Sequence, residues 1–238
     1  MPASKTRPPV SPPAAIPPLE SGDFLSRDEF ERRYEAMSQV RKAELIEGVV
    51  HMPTPVRLHQ HARPHADLMT WLGVFRAFTP GVQVGDNGTL RLDLENEPQP
   101  DAMLLIEPSC GGQVRISADD YVIGGPELLA EVAASSAAID LNQKLRVYRR
   151  NEVHEYVVWR VLDQAVDWFV LRGSAYEELA AGADGILRSG VFGGLWLDPA
   201  ALVRGDLARV LAVVQQGIAS PEHAAFVSRL RQAGAADK

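Results

Sequence analysis

The sequence predicts an α/β domain, and three stretches carry that prediction. Residues 126–159 read as strand, loop, helix, turn, strand. Within them Leu128 to Ala133 is apolar apart from Glu131, and Leu141, Leu145 and Tyr148 recur at i, i+4, i+7. Thr89 to Glu95 alternates at strand period, with Leu90, Leu92 and Leu94 inward and Arg91, Asp93 and Glu95 outward. His59 to about Phe78 keeps helical period, with Leu68, Met69, Leu72 and Phe75 inward. Strand patterns that alternate with helical ones point to the α/β class.

The remaining elements follow in chain order. Met1 to Gly22 carries seven prolines and no periodic apolar pattern, which predicts a disordered or polyproline-like tail. Ser26 to Glu29 fits a capping box for a first helix running to about Met37. Glu44 to Met52 predicts a strand with a tight turn at Gly48, ended by Pro53 and Pro55. Pro100-Asp101 opens a strand over Ala102 to Ile106, and Pro108 to Gly112 breaks it. Val153 to Leu162 and Val166 to Leu171 predict a hairpin turning at Asp163 to Ala165. Strands near Tyr176 to Leu179 and Val191 to Leu197 come next. A helical stripe of Leu207, Val210, Leu211 and Val214 and a short last helix over Pro221 to Leu230 end the chain.

At 238 residues the chain is one domain with tails, and 46% hydrophobic with 23% charged content is ordinary for a soluble globular protein. The net charge of −7 argues against a surface that coats nucleic acid non-specifically, while leaving room for a local basic groove. Cys110 is the only cysteine, which excludes a disulfide framework and a cysteine-based zinc site. No apolar run reaches the ~18 residues that span a bilayer, and the N-terminus has no apolar signal-peptide core. The simplest expectation is a cytoplasmic protein with no membrane partner.

Three acidic positions stand inside or at the edge of apolar segments: Glu44 (with Glu47 as its competitor), Asp101 and Glu131. A carboxylate in such a run is costly to bury unless a cation or ammonium pairs with it. Lys144, at the border of the apolar stripe of its helix, offers the ammonium. Carboxylates gathered at one end of a sheet bind a hard cation such as Mg²⁺, with Mn²⁺ as the alternative. The cation polarises a phosphate and makes water a better nucleophile. A neighbouring lysine stabilises developing charge. This is the chemistry of phosphodiester hydrolysis.

The order of residues also resembles the Uma-type family of restriction-endonuclease-like proteins, within the PD-(D/E)XK nuclease superfamily. The matching pieces are Glu44-Leu45-Ile46-Glu47-Gly48, Pro55 followed by His59, and Pro100-Asp101 before a strand. They continue with Pro126-Glu127-Leu128 leading to Glu131-Val132, then Asp140, Lys144 and Tyr148, then Glu155-Tyr156. The pattern runs from about Leu25 to Leu202. The resemblance implies a central mixed β-sheet flanked by helices, with the site at one end of its central strands. It implies Asp101 and Glu131 as metal ligands, Glu44 as a further carboxylate, Lys144 as catalytic lysine, and nucleic acid, by default DNA, as substrate. With the proline-rich tail over 1–22 set apart by its composition, the expected division is an endonuclease-like domain over 23–202 and a C-terminal helical extension over 203–238. A homodimer would suit a two-strand cut. The superfamily's usual lysine position, two residues after the second acid, is Ala133 here. Ala134-Ser135-Ser136 and Asn151 also depart from the family's loops.

Further residues carry weaker expectations. His59 matches the family and is a candidate substrate contact. Arg146 and Arg149 lie on the wet face of the Lys144 helix and would suit phosphate contacts. His61 and His65 at i, i+4 have zinc spacing but no evident third ligand, so an exposed or capping role is expected. Two other functional readings stand beside the nuclease. One is a nuclease-fold module that binds nucleic acid or protein without cutting, favoured by the net charge and Ala133. The other is a structural dimer built around the aromatic hairpin Trp159 to Trp168.

Overall fold

A computed structural model of the chain describes residues 15–52 and 55–236. The tail expected over 1–22 lies outside the described residues up to residue 14, as does Pro53. Packing begins before residue 22: Leu19 is buried with Phe30, Ala43, Leu45 and Val50 in a small N-terminal core. Helix α1 (Arg27–Glu35) starts at Ser26, whose Oγ accepts the Glu29 N–H at 3.4 Å. The reciprocal half of the capping box is not made, because the Glu29 carboxylate is engaged by Arg32 and Arg33. Glu47 (φ 52°) and Gly48 (φ 76°) are both left-handed, and they fold the next segment into a two-residue hairpin of β1 (Glu44–Ile46) and β2 (Val49–His51). A π-type turn over Leu58–Ala62 precedes α2 (Arg63–Ala77), which buries Leu68, Trp71, Leu72 and Phe75; Met69 is only partly buried.

The middle of the chain supplies β3 (Val82–Asp86), β4 (Leu90–Arg91), β5 (Ala102–Ile106), β6 (Arg115–Ile116), β7 (Val122–Ile123) and β8 (Leu128–Ala133). The strand expected to reach Glu95 stops at Arg91. Asp93 Oδ1 accepts from the Glu95 N–H and the Asn96 side chain, and this turn leaves Leu94 70% exposed. After β8 come α3 (Ala137–Ile139), a π-type turn over Asp140–Lys144, and α4 (Leu145–Arg150). Then follow β9 (Glu155–Arg160), β10 (Ala165–Arg172), β11 (Ala175–Glu178), β12 (Leu187–Arg188) and β13 (Trp196–Leu197). The strand expected from Val191 is thus confined to its last two residues. Helices α5 (Pro199–Arg204), α6 (Leu207–Ile218) and α7 (Pro221–Ala236) complete the chain, α7 running past the expected end at Leu230.

Six strands form one mixed sheet in the order β11-β10-β9-β8-β5-β3. Within this sheet only β8 and β9 pair in parallel, as the strand–helix–strand crossover through α4 requires. The two faces of β8 divide the core as its alternation predicts. Leu128, Ala130 and Val132 pack towards α2, α6 and α7, and Leu129 and Ala133 pack towards α4. The helices after residue 202 share the first of these cores, through Val210, Val214, Phe226 and Leu230. Trp159 and Trp168 are buried there too, with Trp168 edge-on to Trp71 at 5.8 Å. Those rings are therefore committed inside the chain, which removes the support for a dimer built on that hairpin. Among the described residues no helix is long and apolar enough to cross a membrane.

This topology makes the site. β5 and β8 are antiparallel in a register that pairs Ala102 with Ala130. The start of β5 therefore meets the end of β8, and Asp101 and Glu131 emerge side by side on the α4 face.

Candidate active site

Asp101 and Glu131 are each only 4% exposed, and a backbone contact ties them together: the Asp101 N–H donates to Glu131 Oε2 at 3.4 Å. The Val132 N–H donates to Asp101 Oδ2 at 2.8 Å. Lys144 comes down from the π-type turn before α4 and is equally buried. Its Nζ lies 2.9 Å from Glu131 Oε1, 2.9 Å from Glu44 Oε1 and 3.7 Å from Asp140 Oδ1. The Tyr148 hydroxyl, one turn further on, donates to Glu131 Oε1 at 2.9 Å. The β1–β2 hairpin brings Glu44, which also accepts the Gln99 N–H.

The other side of Asp101 is lined with nitrogen. His61 Nε2–H donates to Asp101 Oδ2 at 3.1 Å, and His65 Nε2–H donates to the Asp101 carbonyl at 2.9 Å. Lys42 Nζ lies 3.6 Å from Asp101 Oδ1 and donates to Asn87 Oδ1. Apart from Tyr148 and Gln99, these groups line one cavity of about 790 Å³ at the end of the sheet.

The charges are unbalanced. Four carboxylates (Glu44, Asp101, Glu131 and Asp140) share the cavity with three cationic side chains, Lys42, Lys144 and Arg57. Burial pushes the Glu131 carboxyl up, to about 8, and although Lys144 opposes this, Asp101, Asp140 and Glu44 add to it. Burial also raises Asp140, again against the pull of Lys144. Burial alone would lower the Lys144 amine, but Glu131, Glu44 and Asp140 outweigh it and hold the ammonium charged. Asp101 goes the other way: burial would raise it, yet His61, Lys42 and the Val132 N–H bring it down to about 2.

A family model described as "Putative restriction endonuclease", Uma2, matches residues 27–200. The chain belongs to the Uma2 family. The matched span contains every residue of the site just described, and it bears out the resemblance carried by the residue pattern. A search of curated proteins finds no match. Among solved structures, the chain is similar to a crystal structure described as a putative nuclease belonging to DUF820 from Anabaena variabilis ATCC 29413. The TM-score is 0.53 at 11% identity, over 80% of this chain and 99% of that one. At that identity the likeness speaks for the fold, and it agrees with the expected mixed sheet flanked by helices.

In this Uma2 chain the expected site residues divide into two groups. Asp101, Glu131, Lys144 and Glu44 come together. His59, Arg146 and Arg149 do not. His59 is exposed on the turn before α2 and does not line the cavity; the ring that reaches Asp101 belongs to His61. Arg146 pairs with Glu47 on the outside, and Arg149 is exposed. The expectation for His61 and His65 is reversed. They are neither surface residues nor caps, and the i, i+4 spacing that suggested zinc clamps Asp101 from its side chain and its carbonyl. Lys42 carries no local signal, because its partner Asp101 lies 59 residues away. Asp140 was visible as part of the family pattern but carried no assigned role.

Among the described residues no three His, Cys, Asp or Glu side chains form a ready-made metal cage. Glu44, expected as a third ligand, is turned to Lys144. The donors fit a more open arrangement. Mg²⁺ commonly takes one or two carboxylates and keeps several waters. Asp101 and Glu131 supply two adjacent carboxylates in a cavity with surplus negative charge. Asp140 Oδ2 is buried with no hydrogen-bond partner among the described residues, a further sign that this pocket is short of positive charge.

Proposed function

We propose that this Uma2 protein is a metal-dependent endonuclease that hydrolyses phosphodiester bonds of DNA. The observation that carries the reading is the convergence of Lys144 with Glu131 and Glu44 at 2.9 Å, beside Asp101, in one cavity at the sheet end. In this reading Asp101 and Glu131 hold the cation. A bound Mg²⁺ or Mn²⁺ supplies Lewis-acid polarisation of the phosphate and a more acidic water. Lys144, kept charged by its three carboxylates, presents N–H donors to the reacting phosphate and stabilises the charge that develops as water attacks in line. Glu44 anchors Lys144 rather than the cation. His61 and His65 fix the rotamer and backbone of Asp101, so its carboxylate does not turn when substrate enters. Family membership and donor chemistry support this assignment; the choice of DNA rests on the family's description.

The test is cleavage of supercoiled plasmid and of single-stranded DNA, with Mg²⁺, Mn²⁺ or chelator. Cutting that needs the cation and is lost in Asp101→Ala, Glu131→Ala and Lys144→Ala is the expected result. Cutting that survives all three substitutions would place the chemistry elsewhere. A wild type that binds DNA but never cuts it would favour the non-cutting module.

A further inference from the structure

We infer that His51 is a further substrate-contacting residue of this cavity, its Nε2 meeting an oxygen of the reacting phosphodiester. The inference rests on the nuclease reading above. His51 ends β2 and is the cross-strand partner of Glu44. Directly opposed residues on an antiparallel pair share a face and stand close together, so the imidazole sits beside the carboxylate that anchors Lys144. It lines the same cavity as Asp101, Glu131 and Lys144.

What separates it from its neighbours is its bonding. Lys42, His61, His65 and Lys144 each hold an oxygen of the site. His51 Nε2 is buried and has no hydrogen-bond partner among the described residues. A buried polar atom is rarely left unpaired unless something else completes it. A neutral imidazole is suited to that task, because it offers one N–H donor without adding charge. Burial pushes the ring down from the ordinary histidine range and Lys144 adds to this, against the pull of Glu44, a balance that favours the neutral ring. A phosphodiester oxygen is an acceptor of the right kind. Neither the fold nor the site as described needs the ring nitrogens of His51; the backbone of β2 alone maintains the hairpin.

Three measurements on wild type, His51→Phe and His51→Gln test this. They are single-turnover cleavage of an end-labelled oligonucleotide in Mg²⁺, anisotropy binding of a phosphorothioate oligonucleotide in Ca²⁺, and melting temperature. His51→Phe keeps a ring and removes the unpaired nitrogen, so it melts at or above wild type while cutting about 10- to 100-fold more slowly, as loss of a hydrogen bond to a charged group implies. His51→Gln recovers part of the rate. A His51→Phe protein that cuts and binds like wild type overturns the inference alone. Loss of stability together with rate, without rescue by Gln, overturns it in favour of a packing role. A wild type that binds the phosphorothioate probe without cutting, with binding weakened in His51→Phe, keeps the contact and removes the nuclease. A wild type that neither cuts nor binds removes both.

Discussion

The two ends of the central sheet carry the same kind of side chain in opposite circumstances. At one end, Glu127 and Glu155 stand where β8 and β9 begin; both are buried, and each is surrounded by donors from loops. Glu127 accepts the Ile106 and Gln113 N–H groups, both at 2.9 Å. Glu155 accepts from the Ser189 hydroxyl and from the Gly190 and Val191 N–H groups. At the other end, Asp101 and Glu131 are as deeply buried, but their partners are largely side chains: Lys42 and His61 at Asp101, Lys144 and the Tyr148 hydroxyl at Glu131, and both line a cavity. Burial of a carboxylate is therefore no sign of chemistry by itself. Its partners decide: backbone amides fix a loop, whereas side-chain cations that line a cavity can exchange a carboxylate for a ligand.

The sharpest way to break this comparison is Lys144→Met. Removing one partner of a buried ion cluster costs about 3–5 kcal/mol, so urea melts should show a large loss of stability, and cutting should vanish. Glu131→Gln comes next: cutting falls by on the order of 10²–10³-fold, while stability changes little because Lys144 keeps Glu44 and Asp140. At the opposite end Glu155→Gln should do the reverse. It loses acceptors for buried N–H groups, at a cost of about 1–3 kcal/mol, while the folded fraction cuts at the wild-type rate.

Smaller effects come from pH. The native Glu131 carboxyl is raised from 4.5 to about 8. Between those values the native state binds more protons than the unfolded chain, so the chelated protein loses stability as pH rises through that window. Glu97, raised to about 8 by burial beside Glu31, gives the same slope. The part due to Glu131 is thus the difference between wild type and Glu131→Gln. Asp101, held at about 2 against 3.8, gives stability that is present above pH 4 and lost as pH falls towards 2. Mg²⁺ favours the ionised carboxylates, so it should flatten the upper slope and release protons on binding near pH 7, measurable by calorimetry in two buffers. The smallest effect is expected from Arg149→Ala: an exposed residue outside the cavity should leave both melting and cutting unchanged.

Much of this was legible in the chain itself, for physical reasons. Alternation placed Glu131 on the face of Leu129 and Ala133, and helical period placed Lys144 beside the buried stripe. Local pattern suffices when the signal and its element are contiguous. Leu94 misled because three leucines at period two imitate a strand, while the Asp93 side chain bends the backbone into a turn. His61, His65 and Lys42 escaped for another reason. Their partner Asp101 lies 36 or more residues away in sequence, and only the packing of α2 and of the segment before β1 against the start of β5 brings them to it. His59 fits the family spacing, yet of the two imidazoles on the π-type turn over Leu58–Ala62 it is His61 that reaches Asp101.

The most direct test of the account is one experiment: single-turnover cutting and urea melting of Glu131→Gln and Glu155→Gln beside wild type, in Mg²⁺. The account predicts a folded, silent Glu131→Gln and a destabilised Glu155→Gln whose folded fraction still cuts. Wild-type cutting by Glu131→Gln would contradict it, as would a silent but fully stable Glu155→Gln.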